Sequence, residues 1–177
     1  YEIYEEVCGS RLNTNIGRIG GFERNFTNTA FTKLEKFLNE YPKVLKEFEN
    51  LFTRNRIFME RTQGTGAISA ERALNYGFTG PNLRATGVDY DVRVHTPYSS
   101  YQDFNFTVPV GSTGDNYDRF LVRNAEMWQS LSIIQQAYDL TCRPIITFIP
   151  SRIYIDIFSM INYLNLFIFK YWIYWQH

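Results

Sequence analysis

Cysteine and histidine are scarce in this chain of 177 residues: two of each. Cys8 and Cys142 stand far apart, which is neither a disulfide framework nor a metal-binding spacing, and they read as two free thiols in a reducing compartment. His95 and His177 have no cysteine or helical carboxylate at ligand spacing, so no metal site is expected. Net charge is also missing: 18 basic residues balance 18 acidic ones, which removes the electrostatic reason to expect nucleic acid. No phosphate-cradling glycine motif is present, because "GRIGG" and "GTG" lack both the spacing and the preceding strand. No serine sits in a nucleophile-elbow context. The acidic start "YEIYEEVCGSRLN" has no apolar core and is not a signal peptide. It carries no initiating methionine, and the chain reads as a piece of something longer.

What is present suits one folded domain or a large part of one: 45% hydrophobic and 20% charged residues. Residues 1–15 are expected to be helical, with Ile3, Tyr4 and Val7 on one side and early glutamates favoured by the helix dipole. Apolar residues at 31, 34, 37, 38, 41, 44, 45, 48, 51 and 52 draw one stripe and predict a helix, with a kink or a second helix beginning at Pro42. "SAERALNYG" predicts a short helix capped by Ser69 and ended by Gly77. Val88, Tyr90, Val92 and Val94 alternate with polar residues, as do Phe104, Phe106, Val108 and Val110. Both patterns predict short strands, the second on an edge because of Pro109. "GSTGD" is turn material, and Asp115 is placed to cap a helix running to about Leu140. Asp115, Arg119 and Arg123 fall on one polar face of that helix, with Glu126 within reach of Arg123.

The polar residues that stand out are arginines beside aspartates: Arg84, Asp89, Asp91 and Arg93, then Asp115, Asp118, Arg119 and Arg123. Two readings stay open. One is ion pairs that hold loops to a helical core, worth about 0–1 kcal/mol each where exposed. The other is a polar surface used against another subunit.

Four stretches occur in order: "EVCGSRLNTNIGRIGG", "NRIFMERTQGTGAIS", "ALNYGFTGPNLRATGVDYDVR" and "PYSSYQDFNFTVPVGSTGDNYDRFLVRNAEMWQS". Together they resemble the D-subunit family of the proton-pumping NADH–quinone oxidoreductases, respiratory complex I, over about residues 1–137. The resemblance implies a mainly α fold with short β-strands (α+β), a fragment of the fold of the nickel–iron hydrogenase large subunit. It implies a peripheral subunit on the cytoplasmic side of the bacterial inner membrane, or the equivalent matrix side in mitochondria. Its partner there is the subunit carrying the terminal iron–sulfur cluster, and quinone is reduced between the two. Quinone and NAD(H) belong to the whole complex, the iron–sulfur clusters to neighbouring subunits, and none is expected on this piece alone. The family's histidine and tyrosine for the quinone headgroup lie upstream of Tyr1, so no residue here inherits a catalytic role.

What carries over is a set adjacent to the quinone site or in contact with other subunits. Arg11, Arg18, Gly20 and Gly21 match the family's "GxRxxxxxxRxGG". Arg84, Gly87, Asp91 and Arg93 match the loop after "YGFTGP". Asp115, Asp118, Arg119 and Arg123 match the long helix and its start. Trp128 departs from the usual arginine, which puts a local ion pair in doubt, and Cys8 stands where a small residue is common. A reading from another class is a non-catalytic scaffold or membrane-associated interaction protein.

Residues 1–140 are therefore taken as the core of the D-type subunit and 141–177 as an unmatched tail. From Ile145 to Trp175 the tail is apolar and aromatic, with only Arg152, Asp156 and Lys170 charged. Its longest uncharged run, Ile157 to Phe169, falls short of the roughly 20 residues that span a bilayer. An interfacial segment and an out-of-frame, non-native end are the other readings, and the composition favours the last.

Overall fold

The computed structural model describes residues 1–19 and 21–142. Gly20 and the tail beyond Cys142 lie outside the described residues. In chain order the elements are α1 (Glu2–Cys8), β1 (Gly17–Arg18), β2 (Gly21–Phe22), α2 (Asn28–Phe52), α3 (Arg56–Thr62), α4 (Ala70–Asn75), α5 (Gly80–Arg84), α6 (Val92–His95), a 3-10 turn (Tyr101–Asp103) and α7 (Asn116–Cys142). The described residues are thus mainly helical, as expected. Their one sheet is a small antiparallel hairpin, with Gly17 opposite Phe22 and Arg18 opposite Gly21.

The chain divides into two compact units. Among the described residues the first holds Tyr1–Pro42, Ser99–Phe104 and residues 133–142. The second holds Lys43–Tyr98 and Asn105–Ser132.

In the first unit α1 is shorter than predicted. Gly9 takes a left-handed conformation, φ +73°, and its N–H caps the Glu5 carbonyl at 2.9 Å, which closes the helix at Cys8. Thr27 opens α2: its hydroxyl oxygen accepts from the Ala30 N–H at 3.1 Å and its hydroxyl donates to Glu6 at 3.1 Å. Lys33 then pairs with Glu6 at 3.0 Å and ties α2 to α1. The core gathers Tyr4, Val7, Leu34, Leu38, Ile133, Ile134 and Ala137.

Pro42 does not start a second helix. α2 runs through it as one element, held on the first unit's side by Leu34 and Leu38 and on the second unit's side by Leu45, all buried. The predicted stripe is only partly right. Val44 and Leu51 face solvent, so the covered face is narrower than the sequence suggested.

The second unit is built around aromatic rings. Phe58 meets Phe120 edge-on at 4.9 Å between centroids, Phe52 meets Phe58 at 5.7 Å, and Phe48 meets Phe120 at 5.8 Å. α4 forms as expected: the Ser69 hydroxyl accepts from the Arg72 N–H at 3.4 Å, and Gly77 follows with φ +69°.

The two predicted strands at 88–94 and 104–110 do not form. Asp91 caps α6, its carboxylate accepting from the Arg93 N–H at 2.9 Å, so a side chain takes the backbone donor that a ladder would use. From Phe104 to Val110 the alternation survives in part: Phe104 is buried and Phe106 and Val108 are half-buried, between exposed Asn105 and Thr107. No ladder accompanies it. The Thr107 N–H goes to the Gln129 side chain at 3.0 Å, and Pro109 has none to give.

Candidate functional site

The second unit holds two polar clusters that meet at α5. The first is a buried quartet. Arg84, at the end of α5, donates through Nε to Glu126 Oε1 of α7 at 2.9 Å, and its Nη2 bonds the same oxygen. Its Nη1 donates to the Tyr90 carbonyl at 3.1 Å and lies 3.5 Å from Asp91 Oδ2. Arg93 closes the set: Nη2 reaches Asp91 Oδ2 at 2.6 Å and Nε reaches Oδ1 at 3.0 Å. Side-chain exposure is 6% for Arg84, 7% for Glu126, 4% for Asp91 and 13% for Arg93. The expectation of weak exposed pairs therefore does not hold here, because these charges are out of water. Arg93 also lies over the Phe106 ring, 5.0 Å from its centroid.

Burial pushes the two carboxyls of the quartet the same way, and their partners separate them. Burial works to raise Asp91, but the hydrogen bonds and charge of Arg93, with Arg84 behind them, hold it below its ordinary value of 3.8. Burial raises Glu126 above 4.5 despite Arg84, with Asp91 adding to the rise. The signs follow from linkage. A depressed carboxyl adds stability above its unfolded value that is lost as pH falls through the folded one. A raised carboxyl adds stability at low pH that is lost as pH rises through its folded value. Stability should therefore drop on acidification below about 4 through Asp91. Asp91→Asn should flatten that acid limb in a urea-melt series against pH, and Glu126→Gln should instead flatten the slope above 4.5.

The second cluster surrounds the start of α7. Asp115 caps it, accepting from the Asp118 N–H at 2.8 Å through Oδ1, while Oδ2 accepts from the Gly64 N–H at 2.8 Å. Asp118 Oδ2 accepts from the Ser112 and Thr113 N–H groups at 2.8 and 2.7 Å. These bonds hold Asp118 below its ordinary value against the opposing effect of burial. Arg119 Nη2 donates to the carbonyls of Gly66 and Gly114 at 2.6 and 2.7 Å. Arg123 was expected to reach Glu126; it donates to Asn82 Oδ1 at 2.8 Å, while Glu126 is taken up by Arg84.

Backbone bonds join the clusters. Gly111 N–H donates to the Arg84 carbonyl and Gly114 N–H to the Ala85 carbonyl, both at 2.9 Å. The loop passes so close that a Cβ on Gly111 would lie 2.8 Å from the Ala85 carbonyl oxygen.

The remaining predicted residues fall in the first unit. Arg11 pairs with Glu5 at 2.7 Å and Arg18 with Glu23 at 2.9 Å, both exposed. Gly21 pairs with Arg18 in the hairpin. Arg18 also lines a small polar cavity of about 110 Å³ with Cys8, Asn15, Glu23 and Arg24. Burial raises the Cys8 thiol, which makes it a poor nucleophile at neutral pH.

Two features escaped the sequence. Glu49 accepts from Asn124 Nδ2 at 2.7 Å and from the Trp128 indole N–H at 2.6 Å. Trp128 thus keeps a polar contact in place of the doubted ion pair. The glycines at 111 and 114 were legible as turn material, but neither they nor those at 64 and 66 were legible as bonding partners and close neighbours of α7 and α5.

Among the described residues no three of His, Cys, Asp or Glu come together as a metal site, and no helix is long and apolar enough to cross a membrane. Buried charge fastening short helices and glycine turns to one long helix defines a helical framework segment. The chain belongs to the family of the respiratory-chain NADH dehydrogenase 49 kDa subunit, whose model matches residues 1–166. It is similar to the NADH-quinone oxidoreductase D subunit numbered 2 of Cytophaga hutchinsonii, 73% identical over 139 residues, which is 78% of this chain and 35% of that protein. The D subunit of the Flavobacterium johnsoniae NADH-quinone oxidoreductase is 70% identical over 139 residues, 78% of this chain and 34% of the relative. That of Myxococcus xanthus is 52% identical over 134 residues, 76% and 32%. The chain spans about a third of the length of these relatives.

Proposed function

We propose that this chain is a framework portion of the D subunit in a proton-pumping NADH–quinone oxidoreductase, where it helps shape the quinone-reduction site without contributing a reacting group. Electrons from NADH would pass along iron–sulfur clusters in neighbouring subunits to quinone bound at the complete subunit. The identity to three D subunits supports the assignment. The observation that carries the framework role is the buried quartet, in which every charged group is spent on another part of the chain. The arginines and aspartates of the second unit would act by holding loops in place. The partners are other peripheral-arm subunits, above all the one with the terminal cluster, and the location is the membrane face that bears this arm. The apolar side chains of Tyr90, Val92 and Val94, which the quartet leaves exposed, suit contact with such a partner.

Asp91→Ala in the full-length parent tests this. The yield of assembled complex should fall, while quinone reduction per assembled complex stays near the wild-type rate. Normal assembly with slowed quinone reduction would contradict the framework role.

A further inference from the structure

The polar cavity of about 110 Å³ in the first unit is walled by chain from both sides of the hairpin: Cys8 and Asn15 before it, Arg18 in it, Glu23 and Arg24 after it. The Glu23 N–H donates to the Ile16 carbonyl at 3.0 Å, which brings the chain after β2 back beside the chain before β1. The walls hold two guanidiniums and one carboxylate. That carboxylate is already engaged, because Arg18 Nη2 donates to Glu23 Oε2 at 2.9 Å. Arg24 has no hydrogen bond or ion pair among the described residues, so the lining keeps one positive charge in excess.

Donors also gather round the sulfur. Burial raises the Cys8 thiol, while the Asn15 N–H, the Arg24 charge and the Ile16 N–H each pull the other way. Sulfur is a weak acceptor for such a set. Successive backbone N–H groups beside an arginine make a concavity suited to an anion. A water needs about 10–15 Å³ of such space, so there is room for a small polyatomic ion. A metal cation suits it badly, since two guanidiniums repel it and the carboxylate is paired. We propose that this cavity binds a small oxyanion, a phosphate or carboxylate group, between Arg18 and Arg24 and against Cys8. Both arginines are exposed, so binding is weak and falls as salt rises. The cavity lies wholly within the first unit, and its occupant does not depend on the quinone reading.

The test uses the full-length subunit in its assembled complex and reads Cys8 itself. N-ethylmaleimide alkylates the thiolate, and mass spectrometry of the peptide holding Cys8 gives the rate at mildly alkaline pH. Phosphate at about 20 mM should slow that rate roughly threefold or more against chloride of equal ionic strength, because the occupant must leave before the reagent enters. Acetate in a parallel arm tells the two sources apart: protection by phosphate assigns the site to phosphoryl groups, protection by acetate to carboxylates. Arg24→Gln should abolish the protection. Arg56→Gln, which removes an exposed guanidinium in the second unit, should keep it. Equal protection in Arg24→Gln, loss of it in Arg56→Gln, or no protection beyond chloride by either anion would overturn the proposal. So would a Cys8 that resists alkylation even in chloride, since the cavity would then be closed to solutes.

Discussion

Arg84→Ala is expected to be among the most damaging single substitutions in the described chain. It removes both hydrogen bonds to Glu126, the bond to the Tyr90 carbonyl and one of the two cations beside Asp91. What remains is a buried carboxylate at Glu126 with its cation gone. Breaking one side of such a pair costs about 3–5 kcal/mol, because the charge left behind has neither water nor a partner. That is a large share of the about 5–15 kcal/mol that keeps a domain folded. Arg84→Lys should recover only part of the loss, since an ammonium cannot reproduce the fork that reaches Glu126 and Tyr90 together. Arg84→Met with Glu126→Leu should be milder than Arg84→Ala alone, because no unpaired charge is then left at residue 126. Denaturant melts of the parent subunit would check the order. Equal losses for the double and single variants would show that the quartet is not the source of the effect.

Gly114→Ala is the second expected failure, and its cause is space rather than charge. Gly114 has φ +67°, and a Cβ there would lie 2.4 Å from the Ile68 carbonyl oxygen and 3.1 Å from Thr86 Cγ2. The left-handed backbone costs about 1–2 kcal/mol for a residue with a side chain. The clash adds about 1–3 kcal/mol as the loop is pushed off its neighbours. Gly77 is the natural control. Its φ is +69°, but nothing lies within 4 Å of the added carbon, so Gly77→Ala should show only the backbone part. Thermal melts of the two variants side by side separate the contributions. Similar losses at both positions would remove the case for a tight crossing at Gly114.

The elements legible in the sequence are those specified by neighbours in the chain. Ser69 and Gly77 bracket α4, and Asp115 starts α7, because a cap is a local bond between a side chain and a nearby N–H. Leu34, Leu38 and Leu45 were legible as core through helical spacing. The strand reading failed at Tyr90, Val92 and Val94 because the usual polarity is inverted there. The polar Asp91 turns inward to two arginines and the apolar residues turn out. Spacing cannot show that inversion, since Arg84 and Glu126 are 42 positions apart. The Glu49 contacts of Asn124 and Trp128 were hidden for the same reason. Family resemblance pointed to Arg84, Asp91 and Arg93 as a group without showing what they hold.

The bonds from the Gly64 N–H to Asp115, from Arg119 to the Gly66 carbonyl, and from Gly111 and Gly114 to the carbonyls of Arg84 and Ala85 also bear on synthesis. Every one of them needs chain from position 111 onward, so α3, α4 and α5 leave the ribosome before the groups that secure them exist. The closure entropy of those long loops is offset only when α7 emerges. A nascent chain stalled shortly before residue 111 should be readily cut by protease between 62 and 90, and one stalled well after residue 126 should resist, placing the commitment to this unit late in translation.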